Sequence, residues 1–152
     1  REAREVFEAR ALLEPRTARS ATERMTDAAL ARLESHIAAE HQAIAEGEPG
    51  RALRLSGQFH IEISHIADQE TIAGFIERLV ARSSLIIALY WKRESALCEK
   101  HAHHALVEAF RRGDGDEAEA QMKSHLIDIV SALDLRDTPE PEVSLRDILA
   151  PD

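Results

Sequence analysis

The stretch that decides the fold is residues 101–133, HAHHALVEAFRRGDGDEAEAQMKSHLIDIVSAL. Before its break at residues 113–115, the apolar side chains Leu106, Val107 and Phe110 recur at helical spacing. After the break the same spacing continues in a second apolar stripe, formed by Ala118, Met122, Leu126, Ile129 and Leu133. Two such stripes on either side of a tight turn predict an antiparallel pair of helices.

The rest of the chain has the same character, because Ala, Leu, Glu and Arg dominate and no proline occurs between residues 51 and 138. We predict six helices, at about 2–22, 27–47, 51–66, 69–90, 95–112 and 116–133. Pro15 should kink the first helix, Pro49 and Gly50 form a connector, and Asp68 caps the fourth helix. The sequence therefore predicts an all-α fold, an antiparallel helical bundle.

The composition is typical of one folded domain that does not itself hold nucleic acid. Of the 152 residues 44% are hydrophobic and 31% charged, and the net charge of −9 repels phosphate backbones. The longest apolar run, residues 85–91, is too short to span a bilayer, so we predict no membrane partner. The single Cys98 excludes an internal disulfide, fits a reducing, cytoplasmic location and is interpreted as a small buried residue.

The two ends of the chain carry different signals. The helical pattern begins directly after Arg1 and no signal peptide is visible, so we expect a fragment that lacks an upstream domain. Residues 134–152 contain three of the five prolines and many acidic residues, which is typical of a tail. The predicted division is a helical domain over 1–133 and a C-terminal tail over 134–152.

Three of the eight histidines fall on or beside apolar faces and are candidate metal ligands. His125 lies in the stripe of the sixth helix, His103 on the inner face of the fifth, and His60 at the margin of the third. His103 and His125 are each eleven residues from Asp114, so the hairpin places them at one level, about 16 Å from the turn. Inward imidazoles at one level can share a metal, and His60 would complete a set with open positions.

The alternative is that these histidines are core residues whose ring nitrogens bond to carbonyl groups. We interpret the other five as surface residues: His36, His41, His65, His101 and His104. Glu62 and His65 form one Glu-x-x-His element, whereas a di-iron bundle needs two. A His-Glu-x-x-His zinc-protease motif is absent from the sequence.

Arg10 lies close to the inner face of the first helix, four residues before Glu14. From spacing alone, the favoured interpretation is a salt bridge between these two residues along the helix. The alternative is a guanidinium that reaches into the bundle and binds a ligand carboxylate through two hydrogen bonds.

Several fragments in one order resemble a known family. Residues 5–15, EVFEARALLEP, look like the opening helix of the FCD ligand-binding domain, the C-terminal half of GntR-type bacterial transcriptional regulators. The later fragments that agree in order and spacing are Phe59-His60, His103 before the Gly113-Asp114 turn, Ala118, and His125-Leu126. The resemblance covers roughly residues 3–133.

The resemblance implies six or seven helices around a central cavity. In many members a divalent metal, often zinc or nickel, is held there by an aspartate and three histidines, which correspond to His60, His103 and His125. The aspartate position falls on Ser56, whose hydroxyl is a weaker, neutral ligand, so a neutral imidazole set should prefer zinc, nickel or copper over magnesium or calcium. A small organic acid binds beside the metal, gripped by the arginine that corresponds to Arg10.

The resemblance further implies a homodimer and a winged helix-turn-helix domain upstream that binds DNA. We therefore predict an effector-binding and dimerisation domain that is not an enzyme. Two alternatives stay open, a metal-dependent hydrolase and a metal-free helical interaction domain. The hydrolase would need a general base, and the inner faces offer no convincing Asp or Glu beside the three histidines.

Overall fold

The computed structural model describes residues 2–90 and 100–133. Within these ranges six helices follow one another: α1 (Glu2–Thr22), α2 (Asp27–Ala45), α3 (Pro49–Ile66), α4 (Glu70–Tyr90), α5 (Lys100–Arg111) and α6 (Gly115–Ala132). The predicted all-α helical bundle is confirmed.

The six described helices pack as a closed ring. Going around it, α1 packs against α6, α6 against α5, α5 against α2, α2 against α3, α3 against α4, and α4 against α1 again. Helix α1 also contacts α3 and α5. The apolar stripes of the helices meet inside, where the largest fully buried side chains include Leu33, Ile37, Phe59, Ile63, Leu106, Met122 and Leu126. Every helix therefore has one face toward a shared interior.

Side-chain caps set the starts of two helices. The hydroxyl of Thr26 accepts a hydrogen bond from the backbone N–H of Ala29, which begins α2 as expected. The carboxylate of Asp114 accepts from the N–H of Glu117 and begins α6. Gly113 before it has a φ of 68°, a left-handed conformation that glycine adopts without a Cβ penalty. The break between α5 and α6 thus lies where the sequence predicts it.

Two predicted boundaries are wrong. Helix α3 begins at Pro49, because a proline has no N–H to lose and its φ already suits the first turn of a helix. Asp68 does not cap α4: its φ is 55°, and its N–H bonds back to the carbonyl of His65, which closes α3. The residue before α4 is Gln69. Helix α1 runs through Pro15 as one element.

Some predictions concern residues outside the described ranges. They are the start of the fifth helix near residue 95, the polar stretch at 91–94, the burial of Cys98 and the tail at 134–152. Among the described residues, no helix has the length and apolar character needed to cross a membrane.

Candidate metal and effector site

Three buried imidazoles from α3, α5 and α6 converge in the interior of the ring. The Nε2 atom of His125 lies 3.2 Å from Nε2 of His60 and 3.2 Å from Nε2 of His103. The ligating nitrogens of the three residues all lie within 4.8 Å of one another. Tetrahedral Zn–N bonds of about 2.1 Å separate neighbouring nitrogens by about 3.4 Å. The two contacts of His125 thus have the spacing of a metal-binding set.

Carboxylates contact the Nδ1 atoms of two of these rings. Nδ1 of His60 lies 2.6 Å from Oε2 of Glu14, and Nδ1 of His103 lies 3.1 Å from Oε2 of Glu40. Since a carboxylate only accepts, a neutral ring in this position carries its proton on Nδ1 and presents the lone pair of Nε2 to His125. A carboxylate behind the ring is the arrangement that orients histidines for metal binding.

Hydrogen bonds among the three Nε2 atoms cannot satisfy all three nitrogens when the rings are neutral. With both rings in that neutral form, His60 and His103 present lone pairs, and His125 brings at most one Nε2 proton for these two acceptors. The three imidazole nitrogens lie within 4.8 Å of one another and share fewer N–H donors than they have acceptors. Such a donor set fits a divalent metal such as zinc or nickel.

Arg10 and Glu14 form a buried ion pair within α1. Nε of Arg10 lies 2.5 Å from Oε1 of Glu14, and Nη2 lies 3.2 Å from Oε2. Nη1 of Arg10 donates to the hydroxyl of Ser83 in α4, at 2.8 Å. The side chains of Arg10 and Glu14 are only 3% and 2% exposed. The salt bridge that the spacing favoured is present, and it lies inside the ring of helices.

These contacts join into one continuous chain of polar side chains, which we call the polar chain. Its members in order are Ser83, Arg10, Glu14, His60, His125, His103 and Glu40. Each of the six described helices contributes at least one member. The candidate site therefore depends on the relative position of all six.

Burial and neighbouring charges set the protonation of the polar chain. Burial lowers the pKa of His60 to about 3, although Glu14 opposes this shift. Burial and the neighbouring His103 and Arg10 hold the pKa of His125 well below its usual range. Burial by itself would raise the pKa of Glu14, but Arg10 and His60 outweigh it and hold that pKa far below its usual range. Glu14 is therefore ionised, while His60 and His125 are neutral, as metal ligands must be.

The expectation that no acidic residue lies beside the histidines is wrong. Glu14 and Glu40 both contact imidazoles, although the sequence pattern does not assign either of them to the metal site. Both touch Nδ1, on the side of the ring opposite Nε2, so they orient the rings and do not face the point where the three Nε2 atoms converge. They are not placed as the general base that a metal-dependent hydrolase needs.

The remaining candidate residues differ in burial. Ser56 is half-buried on α3, one turn before His60. Of the histidines interpreted as surface residues, His65, His101 and His104 are exposed and His36 and His41 are half-buried.

Comparison with known proteins identifies the family. The family model of the FCD domain matches residues 5–128, and the chain belongs to this family. The chain is thus the effector-binding type of domain found in GntR-type transcriptional regulators. A similar solved structure is Streptococcus agalactiae GntR, with a TM-score of 0.70 and 24% identity over 84% of this chain and 57% of that chain. At this identity the likeness shows a shared fold, and this chain spans a little over half of that protein. Among curated proteins no match is found.

Family membership also bears on catalysis. FCD domains of GntR-type regulators are regulatory and not enzymatic, so the prediction that this domain is not an enzyme is confirmed by its family. The metal-dependent hydrolase loses its support, since the family is regulatory and both nearby carboxylates lie behind the rings.

Proposed function

We propose that the domain senses a small organic acid, which binds beside a divalent metal held by His60, His103 and His125. The observation that carries this proposal is the convergence of three buried Nε2 atoms whose rings are oriented by Glu14 and Glu40. Zinc and nickel are the metals we expect, because imidazole ligands suit them, whereas magnesium and calcium prefer oxygen ligands.

Three histidines leave positions of the metal open for an acid. A metal bound there would act as a Lewis acid that anchors one carboxylate oxygen of the effector. Imidazole ligands bind a metal in their neutral form, so the ion would keep its full positive charge for an anion. Ser56, one turn before His60, is the residue we assign as a weak additional ligand in place of the family aspartate.

Arg10 is the residue we assign to the effector's carboxylate. In the polar chain only Glu14 lies between Arg10 and His60, so an acid that reaches the metal also comes near the guanidinium. An arginine carries five N–H donors, more than the three hydrogen bonds that Arg10 makes to Glu14 and Ser83. The guanidinium therefore retains donors for a carboxylate while its anchor on Ser83 stays in place.

The proposed output is a shift between conformations of the ring. An effector held by α1, α3, α5 and α6 would favour the arrangement of these helices that binds it best. In a homodimer with DNA-binding winged helix-turn-helix domains upstream, that shift would change how the two domains span their half-sites. The domain's acidic charge suits this division, since a separate module binds the DNA.

The test is the metal content of the purified domain, measured by elemental mass spectrometry before and after incubation with zinc or nickel. We expect about one equivalent in the wild type and in His65→Ala, whose side chain is exposed, and little in His103→Ala. The metal-loaded protein is then screened for thermal stabilisation by lactate, succinate and malonate, because a ligand that binds the folded state raises the melting temperature. A wild type that stays empty after metal addition, and melts identically with and without chelator, would indicate the metal-free interaction domain.

A further inference from the structure

We propose that Glu14 links the occupancy of Arg10 to the metal affinity of the histidines, so that a carboxylate on Arg10 and a metal on His60 strengthen each other's binding. This inference rests on the proposed function and adds a rule for how its two ligands communicate. It makes Glu14 a positioning residue, which acts on both ligands without touching either.

The geometry that supports the link is a carboxylate shared by two partners. Oε1 of Glu14 accepts from Nε of Arg10 at 2.5 Å. Oε2 accepts from Nδ1 of His60 at 2.6 Å and also from Nη2 of Arg10 at 3.2 Å. Glu14 is 2% exposed, so water does not supply a replacement partner when one of these contacts weakens. A stronger hydrogen bond from Arg10 to Glu14 therefore weakens the one from His60, and the reverse also holds.

The consequence for the metal follows from the imidazole ring. A stronger acceptor at Nδ1–H leaves more electron density on Nε2, and this makes the nitrogen a better ligand. While Arg10 holds Glu14, that acceptor is partly neutralised. When an external carboxylate binds the guanidinium, Glu14 would accept a stronger hydrogen bond from His60. A metal on His60 would then be bound more tightly.

The reverse effect is required by thermodynamic linkage. With a metal bound at Nε2, the Nδ1–H of His60 would be a stronger donor to Glu14, and Glu14 would then hold Arg10 less strongly and leave the guanidinium for an effector. Coupling free energies between two binding sites are equal in both directions. Each ligand should therefore raise the affinity of the other by the same factor.

The chain contains its own matched control. Glu40 holds Nδ1 of His103 at 3.1 Å in the same manner. Among the described residues, the ion pairs of Glu40 involve His103 alone, whereas those of Glu14 involve both His60 and Arg10. Glu40 should therefore support the metal without responding to Arg10.

A double-mutant cycle on zinc affinity tests the link, with zinc as the sole probe and a chromophoric chelator as competitor. We expect Glu14→Gln and Glu40→Gln each to weaken zinc binding by about 10- to 100-fold. Arg10→Gln should strengthen it several-fold in the wild type and in the Glu40→Gln background, and have no effect in the Glu14→Gln background. Circular dichroism checks that each variant folds. If Arg10→Gln does not fold, Arg10→Lys replaces it, because lysine keeps the charge but not the two-pronged grip on Glu14.

Each outcome decides one question. An equal effect of the Arg10 substitution with and without Glu14 would mean that its charge acts directly on the metal, and the link would be overturned while the metal site stands. Zinc binding by wild type that does not respond to Arg10→Gln would overturn it too. If wild type binds no zinc but Arg10→Gln does, the proposed resting metal site fails. The link then stands if the gain is lost in the Glu14→Gln background, and it is overturned if the gain remains. If no variant binds zinc, both fail.

Discussion

Nδ1 of His60 and Oε2 of Glu14 lie 2.6 Å apart, although the two residues are 46 positions apart and on different helices. Glu14 is one turn after Arg10 on α1, so the same face of α1 carries the proposed effector contact and a support of the proposed metal site. Helix α1 therefore contributes side chains to the candidate site in addition to its packing in the bundle.

Removal of His125 should abolish metal binding, because its Nε2 is the atom that both other histidines contact. We expect His125→Ala to retain less than about a tenth of an equivalent of zinc after incubation and dialysis, since one of three protein ligands is lost. Elemental mass spectrometry measures this, with His65→Ala as the control that should remain loaded. A stoichiometric metal in His125→Ala would show that the ion binds elsewhere.

Arg10→Ala should separate effector binding from metal binding. The variant keeps all three histidines, so it should still take up one equivalent of zinc, while the thermal stabilisation by organic acids disappears. It should also lower the free energy of unfolding by about 3–5 kcal/mol, because Glu14 is left as a buried charge without its cationic partner. Arg16→Ala, an exposed position on the same helix, is the control. Equal loss of metal and acid binding would assign Arg10 a structural role.

Ser56→Asp should tighten metal binding by restoring a carboxylate one turn before His60. A charged oxygen ligand that completes the set is expected to raise zinc affinity by about tenfold or more, since carboxylate ligands bind zinc directly. Competition titration against a chelator gives the number, and Ser56→Asn supplies a neutral control of the same shape. Weaker binding in Ser56→Asp would place residue 56 away from the metal.

The metal-free protein should lose stability as the pH falls below about 6.5. Burial lowers the pKa of His60 to about 3. The unfolded state therefore binds a proton at this histidine below about pH 6.5, whereas the folded state does not. The unfolding free energy is therefore fully present above pH 6.5 and falls by roughly 1 kcal/mol per pH unit for each such histidine, His125 adding to His60. Urea unfolding at pH 7.5, 6.5 and 5.5 in the presence of chelator measures the slope. A flat profile would contradict the neutral, buried state of these rings.

Two glycines on neighbouring helices should respond in opposite ways to alanine. A Cβ on Gly57 of α3 would lie 2.9 Å from Cγ1 of the buried Val80 in α4, so Gly57→Ala forces the two helices apart. We expect it to destabilise the domain by about 1–2 kcal/mol. Gly74→Ala meets nothing closer than the end of Arg78, at 3.9 Å, and should stabilise by about 0.5–1 kcal/mol through helix propensity. Thermal melts of the two variants make the comparison.

The helices and the inward histidines could be predicted because both are periodic signals. His103 and His125 lie at equal distances from the Asp114 turn, and the turn alone brings them to one level. The spacing places His60 only at the margin of the inner face of α3, and it joins the other two because α3 lies in the same ring.

The carboxylates were harder to predict, for a physical reason. Glu14 lies on the inner face of α1, where Arg10 offers a sufficient local partner, and so its contact with His60 has no signature in the local sequence. Glu40 is half-buried on α2, and its partner His103 lies 63 positions away, so its role depends on how two distant helices pack. Only the packed structure shows such pairs.

The closed ring of helices has a consequence for how the domain matures. Because the three imidazoles and their carboxylates come from five of the six described helices, no smaller set of helices holds them together. An ion or an effector at the proposed site would thus bind only chains in which these five helices have packed. Incompletely folded copies of the domain would then give no response.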